Sequence, residues 1–391
     1  MRRLRPILGR LGLVLAAALL TLLVLELALR WLGPPFHSRS LDDKRLFTRF
    51  DPELGWANRP GVSGGYLGAG YIHGVRHSAA GLRDEEHEVG KPAGVRRVLV
   101  LGDSMVWGLG VENDEIFPRR LEHRLAGTEV IAMGTSGYGT DQELLWFSRD
   151  GARYRPDVVV LALYLANDLR DNISSRRYSR NKPRFVLDAD GALRLTGTPV
   201  PADRSWWRDR VINGIMDPIR RHSALHRLVE GRRHRLHERL RHRAWYRSWF
   251  GDPVGGDWTD MYREGEPPQW LARALELTGR LVAELDRRVE AGGGDLEVLL
   301  LPHAVAGEPG AWDNWLDAVG LDPTRHDPDA TRRRLGQSLQ QQGIPVLDPA
   351  GVMRGSDEPL YLPEDEHLNP LGHAMIADLL AKRLTTSNKT R

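Results

Sequence analysis

The chain has 391 residues, 41% hydrophobic and 27% charged, with a formal net charge of +3, which suits one large folded domain or two small ones and excludes a disordered chain. Cysteine is absent, which excludes disulfides, cysteine-based metal sites, a thiol nucleophile and lipid attachment through a thiol. Thirteen arginines against four acids crowd into residues 204–247, a local net of +9, so one segment is basic and the whole chain is not a nucleic-acid binder.

Arg2, Arg3, Arg5 and Arg10 make residues 1–10 basic, and Leu11 to Leu25 is then uncharged and apolar apart from Gly12 and Thr21. Glu26 and Arg30 follow, four apart, a spacing that lets them pair on one helix face. Continued through Trp31 and Leu32, with the flanking arginines snorkelling, residues 11–33 reach membrane-spanning length. The basic flank predicts a cytoplasmic amino terminus. No small-x-small cleavage site precedes Pro34-Pro35, so we read an uncleaved signal-anchor in a cell membrane, with a cleaved signal peptide as the alternative. Either reading puts the main domain outside the cytoplasm, periplasmic or extracellular.

Residues 34–95 are rich in Gly, Pro and aromatics and predict an irregular extension of loops with one or two short strands. Within it, Ser78 to Asp84 reads as an ordered turn whose Arg83 and Asp84 pair with each other or contact a ligand.

From Arg96 to about residue 385 the pattern alternates strand and helix. Strands are predicted over 97–102, 129–133, 157–163, 296–301 and 344–347. Helices are predicted over 115–126, 140–151, 268–290, 326–342 and 370–383, with a tail at 386–391. Four of the strands are continuous apolar runs, which favours a parallel sheet covered on both faces. Residues 172–267 interrupt the series. They hold Trp206-Trp207, the run Arg232-Arg233-His234-Arg235, Trp245, Tyr246, Trp249 and Phe250, and Leu225, Leu228, Val229, Leu236 and Leu240 at roughly helical spacing. This insertion reads either as a basic, aromatic cap for anionic glycans or a membrane surface, or as a solvated basic helix packed on the core.

Four segments at predicted strand ends carry chemistry. In Gly102-Asp103-Ser104 an apolar strand empties into a hydroxyl, at the sheet edge where ligands bind in open α/β folds; a helix is expected after Gly108 and Gly110. Gly134 to Thr140 is a glycine-rich turn in which backbone can approach a substrate. Ala166-Asn167-Asp168 offers a side-chain amide to an oxyanion, or a helix cap in which Asp168 takes part. Asp365-Glu366-His367 places a carboxylate beside a candidate base. Asp103 reads as a structural hydrogen-bonder, and His373 as packing or helix–loop bonding.

In combination and in this order, Ser104, Gly137, Asn167 and Asp365-x-His367 resemble the SGNH (GDSL-type) hydrolase superfamily, from about Val98 to Leu380 outside the insertion. The resemblance implies a flavodoxin-like three-layer α/β/α sandwich on a parallel sheet. It implies Ser104 as nucleophile, His367 as base, Asp365 as its orienting acid, and an oxyanion hole of the Ser104 and Gly137 N–H groups with the Asn167 amide. Many members place the acid three residues before the histidine, so Glu364 is the alternative acid. Ala132 and Ala166 stand where members often carry Asn and Gly. Asp51 to Trp56, Gly81 to Asp84 and Gly137 to Gln142 also resemble a bacterial, membrane-anchored subgroup. The implied activity is a serine esterase with no metal or organic cofactor, and the extracytoplasmic placement together with the basic, aromatic insertion points to an O-acyl, foremost acetyl, ester on an envelope or secreted polysaccharide as its substrate. An O-acyltransferase using the same site, and a catalytically silent glycan-binding scaffold, are the alternatives. A nucleotide-binding domain fits less well, because the Gly102 loop lacks a phosphate-loop lysine.

Overall fold

The computed structural model describes residues 4–32, 47–67, 71–178, 180–202, 223–225, 228–229, 232, 256–363 and 365–387. Most of the basic segment, including Trp206, Trp207 and Trp245 to Phe250, lies outside the described residues, as does Glu364.

Helix α1 (Leu4–Leu32) contains a 20-residue stretch, Gly12–Trp31, long and apolar enough to cross a membrane, with a mean hydropathy of 2.5. Its Leu13, Leu19 and Leu20 are exposed, so no core among the described residues explains their apolarity. Glu26 and Arg30 pair at 2.8 Å, as their spacing predicts. The Glu26 carboxylate also accepts from the Ser223 hydroxyl and the Ala224 and Leu225 N–H groups.

The extension is more regular than its composition predicts. Strands β1 (Thr48–Asp51) and β2 (Gly55–Asn58) form one antiparallel hairpin, and β3 (Ser63–Leu67) and β4 (Ile72–Arg76) form another. Each strand is only four or five residues long, too short to register as an alternating pattern between glycines and prolines.

The main sheet consists of β5 (Arg96–Gly102), β6 (Thr128–Gly134), β7 (Val158–Tyr164), β12 (Asp295–Leu301) and β13 (Val346–Leu347), all parallel. Short hairpins β8 to β11 lie between residues 176 and 196. The strand order β13-β12-β7-β5-β6 is that of a flavodoxin-like doubly wound sheet, and its switch point falls between β5 and β7. Period-two alternation divides the strands between two cores. Leu99, Leu101, Val159, Leu161 and Leu163 face one core, closed by helices Thr140–Arg149, Gln269–Ala291 and Ala330–Gln341. Val98, Val100, Val158 and Val160 face the other, closed by Phe117–Glu122 and Pro370–Ser387. Burying each such side chain contributes about 1.5–3 kcal/mol. The three-layer sandwich therefore follows from strands that are apolar on both faces.

Several short helices start where the sequence pattern does not put them. A short helix begins at Ser104 itself (Ser104–Trp107), ahead of the one expected after Gly110. Asp103 caps it by accepting from the Met105 N–H at 2.8 Å, and Gly108, at φ 78°, ends it. Helix Ala311–Val319 carries too few turns and too mixed a composition to stand out.

Candidate active site

Strands β5 and β7 adjoin, and their carboxyl ends deliver Ser104 and Asn167 to the switch point. The Ser104 hydroxyl lies 2.8 Å from Nε2 of His367, and Nδ1 of His367 lies 2.5 Å from Oδ1 of Asp365. A carboxylate can only accept, so Nδ1 carries the imidazole proton and Nε2 is left to accept from Ser104. Of the expected site residues, the structure brings these three into one hydrogen-bonded chain. His367 precedes helix Pro370–Ser387, and its carbonyl accepts from the Leu362 N–H at 2.8 Å, which closes the turn that carries it.

The loop after β6 runs close behind the nucleophile. A Cβ on Gly134 would lie 2.2 Å from the Trp107 nitrogen, so only glycine permits this approach of loop to helix. Gly137 has φ +80°, and a Cβ there would meet the Tyr178 ring at 2.3 Å. Both the backbone angle and the space require glycine at that position. The extension braces the loop. Trp56 donates to the Ser136 carbonyl at 3.1 Å, Asn58 to the Gly134 carbonyl at 2.9 Å, and the Tyr138 hydroxyl to the Trp56 carbonyl.

Asn167 presents a more crowded picture. Its Nδ2 donates to Asp103 Oδ2 at 3.2 Å and Asp171 Oδ2 at 3.1 Å, while its Oδ1 is buried without a hydrogen-bond partner among the described residues. Asp103 is fully buried and holds both the Met105 N–H and Asn167. Burial raises its pKa, against the pull of those donors. Asp168 does not cap the helix that follows it. Its carboxylate turns back to accept from the Tyr164 N–H at 2.7 Å, because the end of β7 leaves that donor buried and unpaired. Glu143 lies in the same region with neither carboxylate oxygen hydrogen-bonded among the described residues. Burial, then the charges of Asp103 and Asp141, pushes its pKa well up.

Arg83 and Asp84 do not pair with each other. Arg83 is buried and donates to the carbonyls of Trp107, Gly108, Gly74 and Val111, and Asp84 accepts from the Ala132 N–H at 2.8 Å. Burial lowers the Arg83 pKa to about 9, still charged at neutral pH, and its carbonyl acceptors offset the cost of desolvation. His373 accepts from the Phe117 N–H at 3.1 Å and stacks on that ring, a packing role.

Two features escape a reading of local motifs. The Tyr71 hydroxyl donates to Asp365 Oδ2 at 2.9 Å across 294 residues of sequence. His303, just past the end of β12, has its Nε2 3.1 Å from a Glu366 carboxylate oxygen and meets Trp258 edge-on at 4.5 Å.

The sequence matches the GDSL-like lipase/acylhydrolase family over residues 100–375. No curated protein matches it. Similar solved structures include a GDSL-like lipase from Bacteroides thetaiotaomicron, 12% identical, covering 75% of this chain and 89% of that one at a TM-score of 0.35. A member of the lipolytic G-D-S-L family from Veillonella parvula is 9% identical, with 74% and 99% covered and a TM-score of 0.37. An acetyl xylan esterase is 11% identical, with 73% and 98% covered and a TM-score of 0.38.

Proposed function

The chain belongs to the GDSL-like lipase/acylhydrolase family, which makes it an ester-bond hydrolase, and we propose that it is a membrane-tethered serine esterase acting on an O-acylated polysaccharide outside the cytoplasm. One observation carries the chemistry: the unbroken chain Ser104 Oγ, His367, Asp365 at 2.8 and 2.5 Å. In this reading Ser104 attacks the ester carbonyl as His367 Nε2 takes its proton. The tetrahedral oxyanion is held by the Ser104 and Gly137 N–H groups and the Asn167 amide, which gives up one of its carboxylate partners to the substrate. His367 then returns the proton to the departing sugar oxygen, leaving acyl-Ser104. Water repeats the sequence: His367 removes its proton, the oxygen attacks the acyl carbon, and Ser104 leaves with the proton restored. Asp365 keeps the imidazole in the tautomer that both halves need.

The location rests on the apolar stretch Gly12–Trp31 and the arginines before it. The basic, aromatic character of residues 204–247 favours an anionic glycan beside the membrane surface. Purified chain in detergent is expected to hydrolyse p-nitrophenyl acetate and to bind a fluorophosphonate probe covalently, with Ser104→Ala losing both. Turnover that survives Ser104→Ala overturns the mechanism. Acylated sugar recovered when an oligosaccharide is supplied redirects the reading to acyl transfer, and glycan retention without labelling redirects it to binding alone. Protease digestion of intact cells tests location: cleavage of the catalytic domain only after the cell membrane is breached would sink the extracytoplasmic placement.

A further inference from the structure

We propose that Tyr71 is a positioning residue of the acid–base pair: its phenol, delivered by the extension, holds the second oxygen of Asp365 and fixes the carboxylate against His367. The proposal rests on the esterase reading for its meaning and extends the site beyond residues 100–375, the part that matches the family. Asp365 engages a donor on each oxygen, Oδ1 with His367 at 2.5 Å and Oδ2 with Tyr71 at 2.9 Å. A carboxylate turns easily about its last torsion, and one donor on each oxygen removes that freedom. Tyr71 is itself fixed. Its ring lies against that of His73, with centroids 5.6 Å apart, and closes over Gly110, where a Cβ would sit 3.6 Å from it. The same extension also grips the nucleophile's helix. His77 accepts from Trp107 Nε1 at 3.0 Å, and Arg83 holds the Trp107 and Gly108 carbonyls. One segment therefore anchors both ends of the Ser104–His367–Asp365 chain.

Removing the phenol hydrogen bond leaves more negative charge on the oxygen that faces His367, so the carboxylate becomes the stronger base and favours the imidazolium. Among the described residues, His73, His373 and Asp103 interact electrostatically with His367. Burial holds the two imidazoles neutral, each with a pKa lowered to about 3, and raises that of Asp103. Neither imidazole titrates across the acid limb of the rate.

Tyr71→Phe keeps the ring and its packing, so a purely structural tyrosine predicts no change. We expect kcat to fall about tenfold, KM to stay within about twofold, and the acid limb of kcat/KM to move about half a pH unit upward. In an Asp365→Ala background Tyr71→Phe is expected to cost nothing further. The far-downfield proton signal of His367 Nδ1–H is expected to move in Tyr71→Phe, a readout that needs no turnover. An inactive wild type therefore sinks the esterase reading and still leaves this one decided. Unchanged kcat and acid limb, an unmoved proton signal, or an equal loss in the Asp365→Ala background each overturn it.

Discussion

Ser104 stands between two carboxylate environments built on opposite terms. On one side, Asp365 has a donor on each oxygen, His367 and Tyr71. On the other, Asp103, Asp141, Glu143, Asp168 and Asp171 are buried together, and burial raises the pKa of all five. Among the described residues positive charge is scarce there. Lys182 pairs with Asp141 at 2.5 Å, both fully buried, and Arg177 approaches Asp171 at 3.4 Å. Asp141 is still pushed up to about 6. The same functional group thus has a donor on each oxygen at Asp365 and, crowded with its like away from water, is pushed toward the protonated form on the other side.

Substitutions on the two sides sharpen the contrast. Asp365→Asn is expected to lower kcat by on the order of 10⁴, because the imidazole loses its tautomer control. Asp103→Asn, which keeps shape and much of the hydrogen bonding, is expected to cost about tenfold. Equal losses in steady-state kinetics would erase the distinction between the two carboxylates. Asn167→Ala is expected to lower kcat by about 10²–10³ with little change in KM. A loss confined to KM would remove it from the oxyanion site. Gly137→Ala adds a Cβ that meets Tyr178 and strains the backbone, costing about 1–3 kcal/mol of stability, read as a lower urea midpoint.

The smallest effect on activity, and the clearest on pH, belongs to Glu143→Gln. Burial, followed by the charges of Asp103 and Asp141, raises the pKa of Glu143 in the folded state, so the folded chain keeps a proton that the unfolded chain releases above about pH 4.3. Its contribution to stability is full below that pH and is lost as pH rises toward the folded value. Glutamine is neutral at every pH. Glu143→Gln is therefore expected to leave kcat within about twofold and to flatten the decline of the urea midpoint between pH 5 and 8. A wild-type midpoint that rises over this window would reverse the assignment.

Legibility in the sequence followed the range of the interaction. Ser104, Gly137, Asn167 and His367 are visible because each sits where an apolar run meets glycine, asparagine or proline, a contrast confined to a few neighbours. Four of the five strands are visible because burial on both faces keeps them largely apolar. The helix at Ser104 has four residues, too few for a period. Asp168 reads as a cap until the Tyr164 N–H at the strand end shows which donor needs it more. Tyr71 gives no local signal at all, since its meaning lies in a carboxylate 294 residues away.

That separation bears on folding as well as on chemistry. Ser104 and His367 are 263 residues apart in sequence, and the Tyr71 contact spans still more. Closing such loops costs only slightly more free energy than closing shorter ones, but contacts of this range form late and slowly. The helices can return before the three distant segments meet. After refolding, circular dichroism is therefore expected to recover ahead of fluorophosphonate labelling, and the interval between them times the assembly of the site.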